Sequence, residues 1–174
     1  MKRILLFLIL MSFLATNSFA QKMIGFGGEV SVLSIKANAR MWISKTTGFE
    51  VFAGPASELT NFKPNDIEAG FKILSTFLYN RTNRTYFGLV GKWKWIDVYG
   101  KTNNINLPIP GILIGKEWYN KKLRRKGFAI EFGYQYGAKE YGIFNPVSHI
   151  QVGTGRFEEF PLIVNFRYSF YKKK

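Results

Sequence analysis

The chain has 174 residues, a formal net charge of +14, 17% aromatic residues and no cysteine. That length favours one domain. The absence of Cys excludes disulfides and a lipid anchor on a thiol, and a single His beside it argues against a transition-metal site.

Met1-Lys2-Arg3 opens the chain, an apolar run follows from Ile4 to Leu14, and Ser18-Phe19-Ala20 comes next. Basic start, short apolar core and small residues before a cut are the pattern of a secretory signal peptide over 1–20, cleaved before Gln21. The run is too short for a membrane-spanning helix, which needs about 20 residues. Residues 21–174 then form the mature domain. An exported chain does not meet nucleic acid, so its positive charge points to lipid phosphates. The longest later apolar run, Leu107 to Gly115, contains Pro108 and Pro110 and is no helix candidate.

Extended segments are predicted at 23–33, 37–44, 48–54, 66–79, 85–99, 107–119, 127–137 and 160–171. Short turn-forming stretches separate some of them: Lys45 to Gly48, Asn80 to Arg84 and Asn120 to Gly127. The tandem triplets Asn80-Arg81-Thr82 and Asn83-Arg84-Thr85 read as turn chemistry. Longer polar connections lie at 55–65, 100–106 and 138–159, and the one near Ser34 is short. Long and short connections thus alternate, as in a barrel with short periplasmic turns and longer outer loops.

Alternation along the segments separates two faces. Phe128, Ile130, Phe132, Tyr134 and Tyr136 oppose Ala129, Glu131, Gly133, Gln135 and Gly137. Phe160, Leu162, Val164, Phe166, Tyr168 and Phe170 oppose Pro161, Ile163, Asn165, Arg167 and Ser169. The segments at 23–33, 66–79 and 85–99 repeat the pattern; those at 37–44 and 48–54 follow it weakly. An eight-stranded barrel has room inside only for side chains that fill it. Rows of Phe and Tyr from every strand overfill that space, so the aromatic face is expected outside, against lipid. The expectation is an all-β fold: a closed eight-stranded antiparallel transmembrane β-barrel. By parity Glu29, Glu50, Glu68, Glu117 and Glu131 face inward together with Arg40, Lys72, Lys92, Lys94 and Arg167. Balanced charge in a narrow lumen implies pairing and a plug, since burial of either sign alone is costly.

These residues resemble the small outer-membrane β-barrel superfamily of the OmpA, OmpX and OmpW type. The alternating Phe166, Tyr168 and Phe170 near the C-terminus are similar to the signal that the barrel-insertion machinery reads there. Here Tyr171-Lys172-Lys173-Lys174 continue beyond that aromatic. The resemblance implies a location in the outer membrane, contact with phospholipid and lipopolysaccharide, and assembly by that machinery. It leaves the activity and any surface partner open, because the superfamily hosts anchors, adhesins, narrow channels and lipid-modifying enzymes.

No catalytic constellation is legible. Ser148 and His149 are adjacent, so on a strand they point to opposite faces. Gln151, two residues on, cannot replace a Ser nucleophile. Glu158 and Glu159 could orient the His, but no nucleophile follows. Gly25-Phe26-Gly27-Gly28 and Gly153-Thr154-Gly155 lack the rest of a nucleotide motif. No cofactor is expected. The basic run Lys121, Lys122, Arg124, Arg125 and Lys126 lies in a periplasmic turn, where anionic headgroups are its natural contact. Arg81, Arg84 and Lys172 to Lys174 are expected at the same level. The expected function is therefore a structural or surface-interaction barrel without catalysis. The alternatives are a narrow solute-conducting or lipid-binding barrel, a lipid A-modifying enzyme, and a soluble exported calycin-like carrier.

Overall fold

The computed structural model describes residues 23–32, 34–56, 66–98, 103–120, 125–144 and 151–173; the signal peptide read over 1–20 lies outside them. The strands are β1 (Met23–Ser31), β2 (Ile35–Trp42), β3 (Thr47–Pro55), β4 (Ile67–Tyr79), β5 (Asn83–Val98), β6 (Asn103–Tyr119), β7 (Lys126–Gln135), β8 (Ala138–Phe144), β9 (Gln151–Glu158) and β10 (Leu162–Lys173). Eight of them close a barrel in the order β1-β10-β7-β6-β5-β4-β3-β2, and β8 with β9 forms a separate two-stranded sheet. Every pairing is antiparallel. Closure is made by β1 against β10, from Met23 opposite Lys173 to Ser31 opposite Asn165.

Three turns share one end of the barrel, and side chains shape two of them. Ser44 Oγ accepts from the N–H groups of Thr46 and Thr47, at 3.1 and 2.9 Å. Asn80 Oδ1 accepts from the Thr82 N–H and hydroxyl, at 2.8 and 3.0 Å. Such bonds mimic a backbone turn, which is the role read into the Asn80 triplet. At the third turn the Asn120 N–H donates to the Lys126 carbonyl at 3.0 Å. At the opposite end β1 and β2 are joined tightly, with the Ser31 N–H on the Ser34 carbonyl at 2.8 Å.

One connection differs from the expectation. The stretch 138–159, read as a polar loop, carries the β8–β9 hairpin. Its strands, AKEYGIF and QVGTGRFE, mix charge and glycine without a clear apolar face. They lie outside the closed barrel and touch its rim, where Lys139 donates to the Asn106 carbonyl at 3.1 Å and Phe157 lies under Lys94. The last barrel strand begins at Leu162, which leaves Phe160 and Pro161 before it.

The aromatic and aliphatic rows lie on the outer surface. Phe132 is 54% exposed and Ile112 60%, and Phe26, Val30, Leu89, Phe166 and Phe170 are exposed as well. Trp93, Trp95 and Tyr134 stand toward the hairpin end, and Trp118, Phe128, Tyr168 and Phe170 toward the turn end. Inside, large and small residues alternate around the wall: Leu74 opposes Gly88, Gly88 opposes Leu113, Leu113 opposes Gly133, and Gly133 opposes Ile163. Each large side chain thus lies over a neighbour that has none, which is how so narrow a barrel fills without strain.

Gly133 tests this packing. A Cβ there would run into the backbone oxygen of Ile112 and stand 2.8 Å from the Leu113 Cα. Gly133→Phe is expected to cost at least about 3 kcal/mol, the upper range for overpacking. Gly28 faces outward, and a Cβ there would meet only the Lys36 carbonyl at 3.7 Å. Gly28→Ala is expected to stay within about 0.5 kcal/mol of wild type. Urea unfolding midpoints of the two variants against wild type check both.

Candidate functional site

The period of two along each strand sends every second side chain into the lumen. All ten charged residues expected there, Glu29, Arg40, Glu50, Glu68, Lys72, Lys92, Lys94, Glu117, Glu131 and Arg167, are buried. Four more charged residues join them: Lys36, Asp66, Arg84 and Glu159. The buried set among the described residues is then seven acids and seven bases. Lys36 escaped the sequence reading because it lies one residue before the strand start drawn at 37, and parity from Arg40 was the signal that finds it. Arg84 was assigned to the headgroup level; instead it points inward. Its guanidinium carbon lies 3.7 Å from the centroid of the Trp42 ring and 4.9 Å from that of Tyr79. Glu159 lies in the segment read as a loop, where no periodicity could give its direction.

Lys72, on β4, occupies the middle of the lumen. Its ammonium donates to Glu131 Oε2 at 2.6 Å, lies 2.9 Å from Glu50 Oε1 and bonds Glu29. Arg40, on β2, forks beside it. Its Nε pairs with Glu50, while its terminal nitrogens reach Glu131 Oε1 at 2.5 Å and the Tyr86 hydroxyl at 2.8 Å. Tyr86 in turn donates to Glu131 at 2.7 Å, and the Asn165 amide donates to the other oxygen at 3.1 Å.

Toward the turn end Glu117 gathers donors. Arg167 and the Tyr171 hydroxyl bond Oε1, and Tyr119 and the Trp42 indole reach Oε2 at 2.6 and 3.2 Å. Toward the hairpin end Lys36 lies 2.9 Å from both Glu29 and Glu68. Lys92 bridges Glu68 and Glu159 at 3.1 and 3.0 Å, and Lys94 lies 3.2 Å from Glu159. The pairs therefore run without a break from Trp42 to Glu159. A cavity of about 30 Å³, bordered by Ser34, Lys36, Glu68, Lys92 and Glu159 on one side and by apolar side chains such as Phe52, Val90 and Ile163 on the other, opens near the hairpin end. It has room for a water or two.

The aromatics inside were not expected. Trp42, Phe52, Tyr86, Tyr119 and Tyr171 are all buried in the lumen. Each of Trp42, Tyr86 and Tyr171 lies against a glycine of the next strand, Gly48, Gly115 and Gly25 respectively. Rows of aromatics would overfill the lumen, whereas single rings over glycine fit it.

The other sequence candidates lie elsewhere. Arg125 and Lys126 are exposed at the turn end, while Lys121, Lys122 and Arg124 lie outside the described residues. Ser148 and His149 also lie outside them. Glu158 is exposed and pairs with Arg156 at 2.8 Å, and Glu159 is engaged in the lumen. The apolar rows face out and the charges face in, so the faces are the reverse of those a soluble apolar-ligand carrier needs.

No known protein family matches the chain by sequence, and no curated protein does. Among solved structures it is similar to the N-terminal β-barrel domain of Pseudomonas aeruginosa OprF. The TM-score is 0.56 at 10% identity, over 87% of this chain and 97% of that one. The fold is shared with that domain. At that identity the likeness is one of architecture, and the interior of this eight-stranded barrel rests on its own residues.

Lys72 is the sharpest probe of that interior. Lys72→Met leaves Glu29, Glu50 and Glu131 without their shared cation. Removing one partner of a buried ion pair costs about 3–5 kcal/mol, and a loss of that size is expected in urea unfolding of the folded protein.

Proposed function

We infer that this chain is a non-catalytic outer-membrane protein whose barrel spans the bilayer and whose interior is a plug of paired charge. The observation that carries the reading is the unbroken chain of ion pairs from Glu117 through Glu131 and Lys72 to Glu159. A charge in a narrow low-dielectric lumen is tolerable only with a partner, and a lumen so filled conducts poorly. The outward rows supply the second support, because an apolar belt flanked by aromatic residues matches hydrocarbon flanked by headgroups.

In this reading export through the signal peptide delivers the chain to the barrel-insertion machinery, and phospholipid and lipopolysaccharide surround the folded wall. The three short turns lie on the periplasmic side and the β8–β9 hairpin outside the cell. The run Lys121, Lys122, Arg124, Arg125 and Lys126 then sits among anionic headgroups of the inner leaflet, where each basic residue contributes about 1 kcal/mol.

The plug is tested by planar-bilayer recording of purified protein: no stable ohmic conductance is expected, and a reproducible porin-like single-channel step would sink the reading. Absence of chemistry has its own test. Lipid A mass profiles of the native strain are expected to be identical for wild type and His149→Ala. An acyl chain gained or lost in the variant would restore the enzyme alternative.

A further inference from the structure

Among the described residues the outer wall of the barrel is almost free of charge, and the exceptions are placed together. Among the described outward-facing side chains of the barrel strands, the charged ones are Lys116, Lys126 and Lys172. All are cations, all are exposed, and all lie toward the turn end. Their strands, β6, β7 and β10, are consecutive in the barrel. The turn that joins β6 to β7, and that carries Arg125, belongs to the same sector.

An aromatic shelf underlies the lysines. Trp118 and Phe128 stack with centroids 6.1 Å apart, Phe128 pairs with Tyr168, and Tyr168 meets Phe170 edge-on at 5.1 Å. Lys116 is on the hydrocarbon side of Trp118, and its ammonium bends back to 5.4 Å from the Trp118 ring. Lys126 lies 5.8 Å from the Phe170 ring. Both stems run along apolar surface and bring their charge to the level of the rings, as snorkelling lysines do. A lysine within an apolar belt is costly unless it meets an anion there, and the described wall offers no carboxylate to meet.

Above Lys116 the outer face is grooved. A depression of about 570 Å³ runs across β4 to β7, lined by Ile73, Phe87, Leu89, Ile112, Ile114 and Phe132 among others. It begins at Ile114, the next outward residue above Lys116, and at Phe87, which pairs with Ile114. A cationic patch and an apolar groove thus adjoin, with the geometry of an anionic head and a hydrocarbon tail.

We propose that this sector of the wall binds one anionic diacyl glycerophospholipid, its phosphate held by Lys116 and Lys126 over the Trp118–Phe128 shelf and an acyl chain in the groove. The site rests on the membrane-spanning reading above. It differs from a uniform basic collar in being confined to one side of the barrel. Lys45 and Arg81 are exposed in the other two turns at the same end and serve as the control.

Trp118 is placed to report the lipid beside it. In a Trp93→Phe/Trp95→Phe background the remaining tryptophans are Trp118 and the lumen-enclosed Trp42. The full chain is folded into mixed phosphatidylcholine and phosphatidylglycerol vesicles with either lipid brominated on its acyl chains. Bromines quench the indole only at close range. The expected result is a local enrichment of phosphatidylglycerol at Trp118 of about fivefold or more over its bulk fraction, the ratio that corresponds to one well-placed lysine. The enrichment is expected to vanish in Lys116→Gln/Lys126→Gln and to persist in Lys116→Arg/Lys126→Arg and in Lys45→Gln/Arg81→Gln. If the double Gln variant does not fold, Lys116→Gln alone is read in the same way and is expected to lose part of the excess. Quenching that follows bulk composition in folded wild type would overturn the site. An excess that survives the Gln substitutions, or is lost equally in the control, would overturn its assignment to these lysines. A chain that never inserts, and so shows no quenching by either brominated lipid, would overturn the membrane reading itself.

Discussion

Burial of opposite charges in one narrow space is the constraint on which this barrel depends. Carboxylate and ammonium groups taken out of water cost several kcal/mol each, and only close pairing offsets that cost. The structure meets the requirement by sharing. Glu131 accepts from Arg40, Lys72, Tyr86 and Asn165, and Glu117 from Arg167, Tyr119, Tyr171 and Trp42. Each of these two carboxylates is therefore held by residues of several strands. The ladder of backbone bonds closes the wall, and the charges fix which strands face one another across it.

The same constraint explains the glycines. Long side chains that must meet across the axis need empty space beside them, and the strands supply it by alternating bulk with nothing. Tyr86 lies over Gly115 and Trp42 over Gly48, so that their polar atoms reach carboxylates. The interior is therefore a matched set. A larger residue at a glycine position displaces a neighbour that is itself an anchor for a charge.

How much of this was legible in the sequence depended on where each residue lay. Strands with one face toward a belt of apolar surroundings declare themselves, and Phe128 to Tyr136 and Leu162 to Phe170 fixed both period and direction. Parity then reached inward to Glu131 and Arg167. It failed at strand ends, where Lys36 and Arg84 each sit one residue outside the drawn boundaries, and Arg84 took the direction opposite to that expected. It had nothing to work on in β8 and β9, whose sequences mix charge and glycine without an apolar row. Glu159 shows the remaining gap: it follows β9 and reaches the lumen through a bend, a placement only three dimensions reveal. The buried tyrosines carried the parity signal. Tyr119 lies two residues after Glu117 and Tyr171 four after Arg167, so parity with those charges turns both rings inward although composition alone does not.

Some partners in the lumen are hairpin neighbours, as Arg40 and Glu50 are, and others are far apart along the chain. Arg40 and Glu131 are separated by 91 positions, Lys92 and Glu159 by 67, and Tyr171 reaches back 54 to Glu117. None of these contacts can form within a single hairpin. A hairpin that entered an apolar medium early would carry its local pairs, such as Arg40–Glu50 and Glu29–Lys36, but not the contacts that join β2 to β7 or β6 to β10. The full set of pairs is complete only when β10 has reached β1. The closed ring is slow to form, since its decisive contacts are the most distant ones.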